Sequence, residues 1–147
     1  MLQTSHSLIG ASLAKLVPNP YLGLPLAVIS HFLADIFPHW DLSTRKNSHQ
    51  AKTGLILKSL TDACLGLIVG WVLFRSQVNP TYLISMMFFS QLPDWIEAPY
   101  LIFNWQCFPF YSMKKLQSRL HWKLDWPWGF IIQFLIVFCL VVYALET

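Results

Sequence analysis

The chain has 147 residues, 55% of them hydrophobic and 12% charged, with a formal net charge of +3. A soluble domain is typically about one quarter charged, so the composition excludes an ordinary soluble enzyme and points to an all-α integral membrane protein. The length suits one membrane domain, residues 1–147. The small positive charge sits in connecting segments, where it reads as topology rather than nucleic-acid binding. Cys64, Cys107 and Cys139 are scattered without C-x-x-C spacing, which excludes a disulfide framework and a zinc ribbon.

About five helices are expected, the first two short. Thr4 or Ser5 can cap a first helix that runs to about Val17, with no basic n-region or cleavage site to make it a signal peptide. Pro18-Asn19-Pro20 stops it. A second runs from about Leu24 to Phe37, where Pro38 ends it for want of an N–H. Both are shorter than the roughly 20 residues that span a bilayer. Leu42 to Lys52 is a basic loop. Thr53 to Arg75 is long enough to span. Asn79-Pro80 opens a fourth helix that runs to Pro93, with a kinked continuation toward Phe103. Asn104 to Trp126 reads as a loop, and Trp128 to Leu145 is a wholly apolar last helix.

The two basic loops carry Arg45, Lys46 and Lys52, and Lys114, Lys115, Arg119 and Lys123. The positive-inside rule puts both in the cytoplasm, with the N-terminus cytoplasmic and the C-terminus outside. Every histidine, and every acid but Glu146, then falls toward the cytoplasmic side of the expected bundle. Scattered surface polarity would have been divided between the two ends.

The organising stretch is Ser30 to Asp41, Ser-His-Phe-Leu-Ala-Asp-Ile-Phe-Pro-His-Trp-Asp. His31 and Asp35 are four apart and share a helix face. His39 and Asp41 follow Pro38 on the exit segment and can fold back toward them. Imidazole with carboxylate suits zinc, or manganese. Ser90 to Pro99 echoes this stretch, too briefly to be a repeat: an apolar helix runs into Asp94 and Glu97 and then a proline. The candidate metal ligands are His6, His31, Asp35, His39, Asp41, Asp94 and His121. Asp62 is the deepest acid, and a lone charge in hydrocarbon is costly enough that it is rarely idle. Asp62 and Glu97 are the candidate catalytic carboxylates, with Asp62 favoured as an orienter of His6 or His31. The competing reading of His31 and Asp35 is a hydrogen-bonded pair that glues helices together.

His6-Ser-Leu-Ile-Gly, the Ser30-to-Asp41 stretch and Leu92-Pro-Asp-Trp-Ile-Glu resemble the bacterial YdjM-like predicted membrane-bound metal-dependent hydrolases. More loosely, they are similar to zinc-dependent phospholipase C-like proteins. The resemblance implies an early His and an acid cluster at a helix end as ligands, here His6 and Asp94 with His31 and Asp35, and a bacterial inner-membrane location. The family's tight acid pair is replaced by Asp94 with Glu97, and its His-Arg-Gly-x-Thr-His-Ser segment is missing; His49 is a poor stand-in.

Two functions follow. The first is a metal-dependent hydrolase at the cytoplasmic face, acting on a lipid or lipid-linked phosphoester, with membrane lipids as its surroundings. The second is a non-catalytic membrane protein, either a proton or metal-ion conduit or a structural subunit. A conduit needs polar residues on both sides of the midplane, and one chain places almost none on the outer half; a homo-oligomer would leave that route open.

Overall fold

The computed structural model describes residues 1–41, 52–122 and 124–147, and of Lys52 only the backbone. Among them are six helices and no strand: α1 (Gln3–Leu16), α2 (Pro20–Ile36), α3 (Lys52–Phe74), α4 (Pro80–Phe103), α5 (Phe110–Leu120) and α6 (Trp128–Glu146). The basic residues Arg45, Lys46 and Lys123 and the stand-in His49 lie outside the described residues.

Four differences from the expected elements have physical reasons. α2 begins at Pro20 because Asn19 is its cap, accepting from the Tyr21 N–H at 3.0 Å. This is the same Asn-Pro signal that opens α4, where Asn79 accepts from Thr81 and Tyr82. α1 begins at Gln3 without a cap from Thr4 or Ser5; its first donor is met from another helix, the Gln3 N–H donating to Asp62 at 2.6 Å. α4 continues through Pro93 and Pro99, so Asp94 and Glu97 lie inside a helix rather than beyond its end. Neighbouring helices and hydroxyl groups can support such prolines; Ser90 Oγ bonds the Met87 carbonyl at 2.8 Å beside this stretch.

The fourth difference is α5, a sixth helix within the segment expected to be a loop. Its half-buried and buried positions, Phe110, Met113, Lys114, Gln117 and Leu120, recur at spacings of three and four. That is the stripe of an amphipathic helix, masked here because the stripe includes a lysine and a glutamine.

α1 is the central element, packed on α2, α3, α4 and α6. Besides His6 and Ile9, its buried residues are small: Ser5, Ser7, Gly10, Ala11, Ser12 and Ala14. Such a face lets helix backbones approach closely. A Cβ at Gly10 would lie 2.6 Å from the Met86 carbonyl oxygen and from Ser90 Oγ. Around α1, Phe74, Leu83, Met86, Met87, Val137 and Val141 form the apolar core.

Chain direction alternates, so the start of α1 and the last turns of α2 meet the first half of α3 and the second half of α4. At the opposite end, Lys15 donates to Gln77 Oε1 at 2.6 Å and Tyr82 to the Val17 carbonyl at 2.6 Å. Thr53–Phe74 and Trp128–Glu146 are long and apolar enough to cross a membrane, and most of each is not buried within the bundle. Leu57, Leu65, Ile68 and Val72 of α3, and Phe134, Leu135 and Phe138 of α6, face outward.

Candidate metal centre

At one end of the bundle, Asp35 sits in a ring of imidazoles. Its Oδ1 lies 3.4 Å from His6 Nε2 and 3.8 Å from His39 Nε2. Its Oδ2 lies 3.3 Å from His121 Nδ1 and 3.5 Å from His31 Nε2. Asp94 Oδ1 is 3.5 Å from His31 Nε2. The donors fall into two sets whose atoms each lie within 4.8 Å of one another: His6, His31 and Asp94, and Asp35, His39 and His121.

Each side chain is aimed by local structure. His31 and Asp35 stand one turn apart on α2, both buried. His31 Nδ1 pairs with the Ser90 carbonyl oxygen at 2.9 Å, and His39 Nδ1 with the Phe37 carbonyl oxygen at 2.8 Å. A carbonyl only accepts, so both rings carry the proton on Nδ1 and turn Nε2 toward the centre. His6 is buried on α1 and stacks on His31, with centroids 3.9 Å apart. The exit segment after α2 is clamped to the segment before α6. The Trp122 N–H donates to the Asp35 carbonyl at 3.2 Å, the His39 N–H to the Trp122 carbonyl at 3.2 Å, and the Leu124 N–H to the His39 carbonyl at 2.8 Å. Gly129 makes room for this clamp: a Cβ there would lie 2.9 Å from both His39 C and Trp40 N.

The distances suit a metal better than hydrogen bonds. An N···O hydrogen bond prefers about 2.7–3.2 Å. Two ligand atoms each about 2.0–2.2 Å from an ion at the tetrahedral angle are about 3.3–3.6 Å apart. Four of the five histidine–carboxylate contacts lie in that window. Nε2 of His6, His31 and His39, and Oδ2 of Asp35, are buried without a hydrogen-bond partner. Orphaned polar atoms of this kind are rare in folded proteins and call for an explanation, such as a missing ion. The donor set and its orientation therefore fit a divalent ion. The positive charge already at the centre is the Met1 ammonium, 2.7 Å from Asp35 Oδ1 and 3.5 Å from His121 Nε2. Burial, with that ammonium adding to it, pushes the His39 imidazole below its usual pKa. The ring is then neutral near pH 7, the form that ligates metal.

Six of the seven expected ligands, His6, His31, Asp35, His39, Asp94 and His121, are thus brought together. Asp41 joins neither donor set and instead lines the adjoining cavity. Asp62 accepts from the Gln3 N–H and from Thr4 Oγ1, both at 2.6 Å, so it anchors the start of α1, with no hydrogen bond or ion pair to a histidine among the described residues. Glu97 is buried and pairs with Lys114 at 3.0 Å. Cys64, Cys107 and Cys139 are free and exposed.

Sequence reading missed the groups that hold Asp94. Gln3 Nε2 donates to its Oδ2 at 2.6 Å, and Gln117 Nε2 to its Oδ1 at 3.1 Å. Gln117 was signalled by its place on the α5 stripe; Gln3 had no signal. Beside the cluster is a cavity of about 470 Å³. Asp94, Glu97, Lys114 and His121 form its polar wall, and Leu55, Ile56, Leu60 and Leu101 its apolar one. Leu60 and Leu101 are exposed on the outer surface. No family model, curated protein or solved structure matches the chain.

Proposed function

We propose that this chain is a membrane-embedded, metal-dependent hydrolase of a lipid or lipid-linked phosphoester, with zinc, or manganese, as its ion. The observation that carries the reading is the set of buried, unpartnered imidazole nitrogens turned onto Asp35 and Asp94. The outward-facing apolar α3 and α6 support a bilayer setting. The basic α5 between the fourth and last helices supports placing this end, with the N-terminus, in the cytoplasm, in the inner membrane that the bacterial resemblance implies.

A bound divalent ion would polarise a phosphoryl oxygen and lower the pKa of water toward about 7. The chain's residues do the rest. Leu55, Ile56, Leu60 and Leu101 take the apolar chain of the substrate, while Lys114 and Gln117 flank its phosphate. Glu97, lining the cavity with its carboxylate positioned by Lys114, is the general base. It takes a proton from the attacking water as that oxygen bonds to phosphorus. The phosphorus–oxygen bond to the leaving alcohol breaks, and the proton passes to the leaving oxygen. Asp62 serves as a positioning residue through α1.

Zinc-loaded protein in detergent, given phosphatidic acid or phosphatidylcholine in mixed micelles, is expected to release phosphate or phosphocholine. His31→Ala is expected to abolish release, and Lys114→Ala to raise KM. Absence of metal-dependent release from both lipids overturns the reading.

A further inference from the structure

Resting on the bilayer setting proposed above, but not on the hydrolase chemistry, we propose that α5 lies at the membrane–water interface and binds anionic phospholipid headgroups through Lys115 and Arg119. At 11 residues it is about 16 Å long at the helical rise, too short to cross a bilayer. Its two faces differ in kind. Toward the bundle, Gln117 donates to Asp94 at 3.1 Å and Lys114 to Glu97 at 3.0 Å. On the other face Tyr111, Ser112, Lys115, Leu116 and Arg119 are exposed. At 100° per residue, Lys115 and Arg119 occupy the middle of that face, with Tyr111 and Leu116 on either side.

The two cations lack a counter-charge. They stand four apart, and like charges at that spacing destabilise a helix. Neither side chain meets a carboxylate among the described residues, and the sequence carries no acid between Glu97 and Asp125. A phosphate seated between them relieves the repulsion, with the planar arginine fork matched to its oxygens. The exposed Ser112 hydroxyl, three residues before Lys115, adds a donor on the same face.

The rings around α5 point to lipid as the source of that phosphate. Phe108, in the turn before the helix, is 84% exposed, and Trp105, Trp126 and Trp128 are exposed as well. Aromatic side chains concentrate where bilayer meets water. Trp128 opens α6, a helix long and apolar enough to span, and so marks the interface at this end. Asn104, left-handed at φ 57°, turns the chain out of α4 into the segment that carries α5 to that level. A short helix with a basic face and exposed rings beside it has the composition of an interfacial helix drawn to anionic lipid. A soluble polyanion would match the charges and leave the rings in water.

Full-length protein in a neutral detergent would be titrated with dioctanoyl phosphatidylglycerol, dioctanoyl phosphatidylcholine, inorganic phosphate and polyglutamate, with binding read by microscale thermophoresis at low and high salt. Phosphatidylglycerol is expected to bind, more weakly as salt rises, with the other three well behind. A basic residue near an anionic surface contributes about fivefold in affinity, so Lys115→Gln/Arg119→Gln should lose about 25-fold. Both side chains are exposed, and the double variant should keep the helical circular dichroism and zinc content of the wild type. Equal wild-type affinity for the two lipids, or an unchanged affinity for phosphatidylglycerol in the double variant, overturns the proposal. Inorganic phosphate or polyglutamate binding as tightly as phosphatidylglycerol also overturns it, the first leaving a free-anion site and the second a soluble acidic partner. No arm requires turnover, so failure of the lipid face leaves the hydrolase standing, and an inactive protein leaves the lipid face standing.

Discussion

The two halves of the cluster are built from different materials. His6, His31 and Asp94 project from three packed helices, from the first turn of α1, the last turns of α2 and the second half of α4. His39 and His121 lie on segments between helices, held by three backbone hydrogen bonds and the space left by Gly129. The first half is set by core packing and cannot shift without moving α1 against α4. The second is set by a short clamp with few buried apolar neighbours, and elements of that kind open at lower cost. The helical half is thus the more rigid of the two, and the clamped half is the one that opens more readily.

The largest effect expected is from His31→Ala. It removes a candidate ligand nitrogen, the stack on His6 and the bond to the Ser90 carbonyl. Zinc affinity, measured by competition with a chromophoric chelator, should fall by more than about 100-fold, beyond the 10–100-fold typical of losing an outer partner. An affinity within about tenfold of the wild type would remove His31 from the centre and end the contrast between halves.

Gly129→Ala comes next and acts on the clamped half alone. Its Cβ meets backbone atoms of His39 and Trp40, which cannot rotate away as a side chain could. Overpacking of this sort costs about 1–3 kcal/mol. Zinc should dissociate faster from the variant than from the wild type in stopped-flow chelation, while the fold and the helical half stay intact. An unchanged dissociation rate would show that the clamped half does not control release.

Asp62→Ala should have the smallest effect. It removes the acceptor for the Gln3 N–H and Thr4 Oγ1, a cap supplied from a neighbouring helix. Lost caps cost about 1 kcal/mol, which a lowered melting temperature in detergent would report. Zinc affinity should drop only modestly, through Gln3 and its bond to Asp94. A loss as large as that of His31→Ala would return Asp62 to the centre itself.

Much of this site was legible because ligand chemistry is carried by rare residues in an apolar chain. His31 and Asp35 share a face by spacing, and the alternation of helices brings His6, Asp94 and His121 to the same end. What the sequence concealed was the outcome of tertiary choices. Asp62 looks like a buried reactive acid until α1 lays the Gln3 N–H and the Thr4 hydroxyl against it. Gln117 looks like loop polarity until α5 forms and turns it onto Asp94. The helix continuing through Pro93 and Pro99 to Phe103 was legible only as a kinked continuation, because proline normally ends or kinks a helix in water. Neighbouring helices supply what the missing N–H takes away.

The cavity beside the cluster has a kinetic consequence. Its apolar wall reaches the exposed Leu60 and Leu101, on the side where α3 faces outward. In a bilayer, a substrate reaching it from that side diffuses in two dimensions, and its activity is its mole fraction among lipids rather than its molarity. Adding inert detergent at constant bulk substrate would then slow turnover by surface dilution. A phosphoester without an apolar chain would follow bulk concentration and escape that dilution.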